Sequence, residues 1–144
     1  MHVQPEEAQE LIKGLRVIVV DDVLDSRDLV EMYLKAKQAE VKAVSCAKDA
    51  LKLVEKFQPE LVISDIYMPE ENGYWLIEQL NTVNKESKTY IPAIALTAAA
   101  KEEEKKQIIA AGYDGYITKP FMFEDLTTII TQLIVKNKLV KKKL

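Results

Sequence analysis

The sequence predicts an α/β protein in which one doubly wound, five-stranded parallel sheet is flanked by five helices. Five short apolar runs alternate with segments whose apolar residues recur at helical spacing. The connections are short, and neither an internal repeat nor a low-complexity linker interrupts the 144 residues. Polar side chains follow four of the runs, and the carboxyl ends of parallel strands lie at one edge of a sheet. The fold class therefore predicts a single functional pocket at that edge.

The first half of the chain contains two predicted strand-helix units. Residues 16–20 form a mostly β-branched run, which is typical of a strand covered on both faces. Asp25 and Ser26 offer side-chain oxygens that can cap the helix that follows. Residues 41–45 predict the second strand, and apolar residues three and four apart predict a second helix that ends near Phe57.

The second half repeats this alternation. Residues 61–64 predict the third strand and residues 91–96 the fourth, where Pro92 is acceptable only near the start. The helix after the fourth strand begins with the charged segment 101–107, so it should be the least anchored of the five. Residues 116–117 mark the fifth strand, and the last helix has the most regular apolar stripe in the chain.

The polar residues at the strand ends suggest phosphoryl chemistry. Asp21 and Asp22 follow the first predicted strand, Asp65 the third, Thr97 the fourth and Lys119 the fifth. A group of carboxylates suits Mg2+, whereas zinc is excluded because the only histidine is the second residue. A carboxylate beside a divalent cation can attack phosphorus and form an acyl phosphate, which a lysine and a hydroxyl can stabilise. The four glycines are scattered, so the sequence has neither a P-loop nor a dinucleotide fingerprint.

The charge distribution, the single cysteine and the lack of long apolar segments limit the classes of protein to which this chain can belong. The net charge is −3, but residues 136–144 contain five lysines and no acid, which leaves −8 for the rest. The basic tail could contact nucleic acid or an anionic surface, although a solvated helix end is the simpler interpretation. Cys46 has apolar neighbours, which predicts a buried and unreactive thiol. No segment is typical of a membrane span or a signal peptide, so we expect a cytoplasmic protein that neither inserts into membranes nor binds nucleic acid directly.

Four strings of residues together resemble the receiver domain of response regulators, the CheY-like module of two-component signalling. The strings are Val19-Val20-Asp21-Asp22, Ser64-Asp65-Ile66-Tyr67-Met68-Pro69 with Gly73 after it, Leu96-Thr97-Ala98, and Tyr116-Ile117-Thr118-Lys119-Pro120-Phe121. They occur in the family's order and spacing. The resemblance implies a flavodoxin-like sheet with the strand order 2-1-3-4-5. It also divides the chain into an N-terminal extension (1–14), a receiver domain (15–136) and a basic C-terminal tail (137–144).

The resemblance implies a role for each polar residue at the strand ends. Asp65 would accept a phosphoryl group from the phosphohistidine of a histidine kinase or a histidine phosphotransfer domain. Mg2+ would be bound directly by Asp22 and Asp65, mostly through water by Asp21, and by the backbone carbonyl of Tyr67. Lys119 would pair with a phosphoryl oxygen, and its peptide bond to the next residue, a proline, is expected to be cis.

The resemblance also implies a conformational switch. The Thr97 hydroxyl would move onto the phosphoryl group, and the Tyr116 ring would turn into the space that the hydroxyl leaves. The response would appear on the surface formed by the fourth predicted helix, the fifth strand and the fifth helix, and a downstream protein would bind there. The protein itself would be a monomer or a phosphorylation-dependent dimer. The phosphoryl donor would dock on the first predicted helix, at Ser26, Arg27 and Leu29.

Two positions depart from common family residues. Tyr67 lies two residues after Asp65, where a small polar residue is frequent, and Ala99 lies two residues after Thr97, where an acid or an amide is frequent. In the family these positions influence hydrolysis of the acyl phosphate. We therefore expect the phosphorylated form of this protein to be long-lived.

The two ends of the chain allow alternatives. The N-terminal extension is either an additional helix, with Leu11 and Ile12 packed on the sheet edge, or a linker retained from a larger hybrid kinase. The basic tail either extends the last helix or lacks regular structure.

Three functional classes remain open. The first is a phosphorylatable module, either stand-alone or excised from a hybrid histidine kinase, that assists only its own phosphorylation and dephosphorylation and is not an enzyme. The second is an aspartyl-nucleophile phosphatase of the haloacid dehalogenase type, which has an acid two residues after its nucleophile, where this chain has Tyr67. The third is a receiver fold that binds partners without phosphorylation, although every catalytic position is filled here.

Overall fold

Strands and helices alternate along the chain as the sequence predicts. The computed structural model describes the backbone of residues 3–98 and 101–143 and the side chains of 3–98 and 101–137. In chain order the elements are α1 (Pro5–Ile12), β1 (Arg16–Val20), α2 (Leu24–Ala36), β2 (Glu40–Val44), α3 (Ala47–Phe57), β3 (Leu61–Asp65), α4 (Gly73–Ser87), β4 (Ala93–Thr97), α5 (Glu102–Ala111), β5 (Gly115–Thr118) and α6 (Phe123–Lys143).

The five strands form one parallel sheet in the order β2-β1-β3-β4-β5, which confirms the predicted fold class and strand order, although the described residues form six helices instead of the predicted five. β1 pairs with both β2 and β3, so the strand order reverses beside it. Ligands of open α/β sheets bind outside the carboxyl ends of the strands at such a reversal. Every residue of β3 and β4 is buried, as expected for central strands covered by helices on both faces.

Alternate residues of the strands enter two separate cores. Val17 and Val19 of β1 face a core shared with α1, α2 and α6, whereas Ile18 and Val20 face a core shared with α3 and α4. This division follows from the period of two along a strand. Among the ten residues of α5, Ile108 is the single buried side chain, so this helix is weakly anchored, as its charged sequence predicts.

Several local predictions need correction. Asp25 and Ser26 do not cap α2, which begins one residue earlier; the N-cap position is occupied by Val23, whose side chain cannot accept a hydrogen bond. β4 begins after Pro92, and the Pro92 carbonyl accepts a hydrogen bond from the Val62 N–H. Cys46 is only half-buried, because it follows the edge strand β2 and precedes α3 instead of lying inside the sheet.

The N-terminal extension forms a helix, the first of the two predicted alternatives, and this helix packs against α6. Ile12, at the end of α1, is fully buried in the core shared with α2 and α6, and α1 packs against α6. The Gln9 side chain donates a hydrogen bond to the Lys37 carbonyl (2.9 Å), and the Gly14 N–H donates to the Gln38 carbonyl (2.8 Å).

At the other end, α6 continues as far as Lys143, so the backbone of the basic tail extends the last helix. The side chains from residue 138 onwards lie outside the described residues. Within the part of the chain that the structure describes, no helix has the length and apolar character needed to span a membrane.

Truncation of Ile12 tests whether α1 belongs to the folded unit. We expect Ile12→Ala to lower the free energy of unfolding by about 2–5 kcal/mol, because it leaves a cavity in a core that the helix helps to close. Urea denaturation followed by circular dichroism measures this change. Glu10→Ala, at an exposed position of the same helix, should stay within about 0.5 kcal/mol of the wild type. Equal stability of Ile12→Ala and the wild type would contradict the docking of α1.

Candidate functional site

Side chains from three strand ends meet at the carboxyl edge of the sheet. The Lys119 ammonium lies 3.1 Å from Oδ2 of Asp21 and 3.3 Å from Oδ2 of Asp65. Asp21 follows β1, Asp65 ends β3, and Lys119 follows β5. These residues are far apart in sequence, and the parallel sheet brings them together as the sequence predicts.

The acidic side chains form a compact group. Asp21, Asp22 and Asp65 each offer a carboxylate oxygen, and these three oxygens lie within 4.8 Å of one another. Asp21 is fully buried and Asp65 is only 9% exposed. Three carboxylates at this separation repel one another, and a hard cation with oxygen ligands relieves that repulsion. The donor set therefore fits Mg2+.

The loop after β1 holds Asp21 in place. Oδ1 of Asp21 accepts a hydrogen bond from the Val23 N–H (3.0 Å), while Oδ2 faces the Lys119 ammonium. The Arg27 guanidinium reaches back from α2 and donates to the Asp21 carbonyl (2.8 Å). Arg27 thus stabilises the backbone at Asp21, a role that the sequence did not indicate.

Burial and ion pairing act in opposite directions on Asp65. Burial raises the pKa of this carboxyl group, the charge of Lys119 lowers it and the charge of Asp21 raises it again, so that the pKa lies above the usual value. For Lys119, burial acts to lower the pKa, but attraction by Asp65 and Asp21 outweighs it and raises the pKa. The ammonium is therefore charged, and it only partly compensates the negative groups around it.

Gly73 allows α4 to begin directly against the backbone of Asp65. A Cβ atom on Gly73 would lie 2.6 Å from the Asp65 carbonyl oxygen and 2.8 Å from Cα of Ile66, closer than any side chain can approach. The Gly73 N–H donates to the Ile66 carbonyl (2.8 Å), and the Gly73 carbonyl accepts from the buried Tyr113 hydroxyl (2.7 Å). The Ser64 hydroxyl donates to the Asp65 carbonyl (2.8 Å). These contacts fix the backbone beneath the carboxylate.

The sequence contained only a weak signal for this support. An isolated glycine that directly follows a capping residue suggests a close approach of backbones, and Asn72 does cap α4 by accepting from the Tyr74 and Trp75 N–H groups (both 3.0 Å). Nothing in the local pattern indicated that Tyr113 reaches Gly73 from the far end of α5.

Thr97 and Tyr116 lie on neighbouring strands. Thr97 is fully buried at the end of β4, and its carbonyl accepts a hydrogen bond from the Lys119 N–H (2.7 Å). Tyr116 of β5 is partly buried, and the Lys105 ammonium of α5 lies 5.8 Å from the centroid of its ring. The two residues expected to switch therefore lie between the pocket and α5.

Tyr67 extends away from the carboxylates. Its side chain is 55% exposed, and its hydroxyl donates to Oε2 of Glu104 in α5 (3.1 Å). The Lys119-Pro120 peptide bond is cis, as expected. Ala99, the second departure from the family pattern, lies outside the described residues.

Comparisons of sequence show which proteins this chain resembles. The family model for the response regulator receiver domain matches residues 17–131. The chain is 39% identical to an uncharacterized 14.6 kDa protein of Leptolyngbya boryana, and the match covers 85% of this chain and 92% of that protein. It is 30% identical to hybrid signal transduction histidine kinase D of Dictyostelium discoideum and 32% identical to response regulator SaeR of Staphylococcus epidermidis. Those matches cover 89% and 83% of this chain but only 9% and 50% of the two relatives.

Solved structures show the same fold. The receiver domain of the histidine kinase CKI1 from Arabidopsis thaliana, in complex with Mg2+ and BeF3−, is similar with a TM-score of 0.76 and 28% identity over 90% of this chain and 95% of that one. The chemotaxis protein CheY4 of Vibrio cholerae is similar with a TM-score of 0.73 and 28% identity over 82% and 97% of the two chains.

Substitution of Asp65 tests the electrostatic strain in the pocket. Because the pKa of Asp65 is raised, the folded protein binds this proton more tightly than the unfolded chain, so the ionised carboxylate lowers stability at neutral pH. We expect Asp65→Asn to raise the free energy of unfolding by about 0.5–2 kcal/mol in the absence of Mg2+, a range common for substitutions that relieve strain at a site. Thermal and urea unfolding at neutral pH measure this gain.

The gain should shrink as the pH falls and the wild-type carboxyl takes up its proton. Glu55→Gln, which removes one exposed carboxylate from α3, serves as a control and should change stability by less than about 0.5 kcal/mol. A loss of stability in Asp65→Asn at neutral pH would show that the Lys119 ion pair outweighs burial.

Proposed function

This chain belongs to the response regulator receiver domain family of two-component signalling, and on that premise we propose that it is a phosphorylatable signalling module. Asp65 accepts a phosphoryl group from the phosphohistidine of a histidine kinase or a histidine phosphotransfer domain. The observation that carries the proposal is the meeting of three carboxylates and the Lys119 ammonium in one pocket. Receiver domains are signalling modules, and this one assists only its own phosphorylation and dephosphorylation.

The transfer uses the charges of the pocket. A carboxylate oxygen of Asp65 attacks phosphorus, and the nitrogen-phosphorus bond breaks as the new oxygen-phosphorus bond forms; the electron pair stays with the histidine ring. Receiver domains bind Mg2+ at an acidic pocket, and here Asp21, Asp22, Asp65 and the backbone carbonyl of Tyr67 would hold an ion that neutralises the phosphoryl oxygens. Lys119, 3.3 Å from Oδ2 of Asp65, is close enough to pair with one of those oxygens.

The response begins at Thr97 and Tyr116. The Thr97 hydroxyl moves onto the phosphoryl group, and the Tyr116 ring turns into the space that it leaves. Moving a two-state equilibrium from 1:99 to 99:1 takes roughly 5.5 kcal/mol of differential binding. Two hydrogen bonds to charged groups, at about 1.5–3 kcal/mol each, come close to that value. Because Ile108 alone anchors α5 in the core, the surface formed by α5, β5 and α6 can respond and bind a downstream protein.

Exposed apolar residues of α2 and of the segments that follow β1 and β5 offer a docking surface for the phosphoryl donor. Val23, Leu24, Leu29 and Met32 on the α2 side and Met122 on the α6 side are all more than half exposed. Exposed apolar residues grouped around a polar site are typical of a surface that binds another protein. Of the residues expected to contact the donor, Leu29 fits this surface, whereas the Arg27 guanidinium is bound to the Asp21 carbonyl.

The context of the module stays a proposal as well. We propose that the chain consists of an extension (1–14), a receiver domain (15–136) and a basic tail (137–144). The extension is part of the folded unit, because Ile12 of α1 is buried in the core. The relatives include a short protein that the chain nearly spans and a hybrid kinase of which it spans 9%, so both contexts occur among them. A cytoplasmic location and a monomer or phosphorylation-dependent dimer accord with either context.

An aspartyl-nucleophile phosphatase is the second candidate, and the site supports it less well. That class needs an acid two residues after the nucleophile to donate and accept a proton. Tyr67 occupies this position here, and its hydroxyl donates to Glu104 instead of facing Asp65.

Phosphorylation by a small donor tests the proposal directly. We expect incubation with Mg2+ and acetyl phosphate to add one phosphoryl group to the wild type, as measured by intact-protein mass spectrometry. Asp65→Asn should gain none, and removal of Mg2+ with a chelator should stop the reaction. Asp49→Asn, an exposed aspartate of α3, should react like the wild type. Steady release of inorganic phosphate without an adduct would favour the phosphatase, and no reaction of the folded protein would favour a receiver that works without phosphorylation.

The lifetime of the phosphorylated form tests the role of Tyr67. Tyr67 replaces the small polar side chain that could hold the attacking water, so we expect a half-life of many minutes or longer once the donor is removed. Tyr67→Asn should shorten it, whereas Tyr67→Phe, which keeps the ring, should not. Phosphate-affinity electrophoresis at timed intervals gives the half-life. Decay of the wild type within seconds would contradict this expectation.

A further inference from the structure

One hydrogen bond crosses the rim of the pocket. The Tyr67 hydroxyl, in the loop after β3, donates to Oε2 of Glu104 in the first turn of α5 (3.1 Å). β3 and β4 are neighbours in the sheet, and α5 is the helix that follows β4. The bond therefore links the segment after Asp65 to the helix after Thr97, which are the two segments that the proposed phosphorylation would draw together.

A second tyrosine near the pocket has a hydroxyl that lacks a hydrogen bond in the part of the chain that the structure describes. Tyr74 is in the first turn of α4, next to Gly73, which touches the backbone of Asp65. Its hydroxyl is buried, and among the described residues it has no hydrogen-bond partner. Burial raises the pKa of Tyr74, and the charge of Glu104 raises it further. A buried hydroxyl without a partner destabilises a fold, so a conformation that satisfied it would gain free energy.

The attachment of α5 allows such a conformation. Near its carboxyl end, Ile108 enters the core and the Asn81 side chain of α4 donates to the Ala111 carbonyl (3.1 Å). Near its amino end, Glu104 is bound to the exposed Tyr67, and the neighbouring Lys105 lies over the Tyr116 ring. The amino end can therefore shift while the carboxyl end stays in place.

We propose that Glu104 is a positioning residue that exchanges between two tyrosine hydroxyls, bound to Tyr67 in the resting protein and to Tyr74 when Asp65 is phosphorylated. The inference rests on the proposed function. Movement of Thr97 towards the phosphoryl group draws the start of α5 towards α4, where the Tyr74 hydroxyl has no hydrogen-bond acceptor among the described residues of the resting protein. The exchange couples phosphorylation of Asp65 to the position of the amino end of α5.

The exchange predicts effects of opposite sign for two similar substitutions. Tyr67→Phe removes a bond made only in the resting state, so it should favour the activated state. Tyr74→Phe removes a bond made only in the activated state and also removes the unsatisfied hydroxyl from the resting state. Because a ligand of the activated state binds according to the population of that state, the first variant should bind it more tightly and the second more weakly.

Beryllofluoride, which mimics a phosphoryl group on an aspartate, provides the ligand. We expect its affinity in the presence of Mg2+ to rise about three- to tenfold in Tyr67→Phe and to fall about three- to tenfold in Tyr74→Phe, the factors expected for one hydrogen bond. The fluorescence of Trp75, the only tryptophan in the chain and the neighbour of Tyr74, reports the titration. Circular dichroism of each variant verifies that it is folded.

Variants of α5 serve as controls. Glu104→Ala loses both bonds, so Tyr67→Phe or Tyr74→Phe should have little effect when combined with it, as a double-mutant cycle measures. Glu104→Gln retains an acceptor and should behave more like the wild type. Glu103→Ala, on an exposed side chain of the same turn, should leave the affinity unchanged.

The outcomes separate this inference from the proposed function. Effects of opposite sign that disappear in the Glu104→Ala background support the exchange. Effects of the same sign, or effects that persist without Glu104, overturn it. Failure of the wild type to bind beryllofluoride would instead refute the phosphorylation of Asp65 on which the exchange rests.

Discussion

The structure of the site depends on one ammonium group placed among several carboxylates. Lys119 pairs with Asp21 and Asp65, which come from two other strands, and Asp22 adds a further negative group. A single positive charge cannot balance this cluster, so the pocket keeps an excess of negative charge that a divalent cation can compensate. The strand order makes these contacts possible, because it brings the ends of β1, β3 and β5 close enough for Lys119 to pair with Asp21 and Asp65.

The two faces of the sheet are built differently around this pocket. On one face, α2 and α6 contribute buried side chains such as Leu34 and Ile130, and α1 closes the lower part of the same core. On the other face, α3 and α4 also contribute several buried side chains, whereas α5 contributes Ile108 as its one buried residue. A site with well-packed support holds its geometry, and a weakly packed element can respond to it.

The local sequence pattern was sufficient to predict the five strands and the polar residues that meet at the sheet edge. The run that ends at Asp65 is apolar and β-branched, and the position of a polar residue after such a run predicts its place at the sheet edge. The packing of α1 on α6 and the contact between Tyr113 and Gly73 could not be predicted, because they join side chains whose separation in sequence bears no relation to the period of a helix or strand. The half-exposed Cys46 was mispredicted for a related reason: apolar neighbours do not reveal that a strand lies at the edge.

The helix before β1 also determines how much of the core between α2 and α6 is covered. α1 lies against α2 and α6, where its Ile12 side chain enters the core and Gln9 is bound to the Lys37 carbonyl. Part of the apolar surface between α2 and α6 is therefore covered by a segment that takes no part in the chemistry.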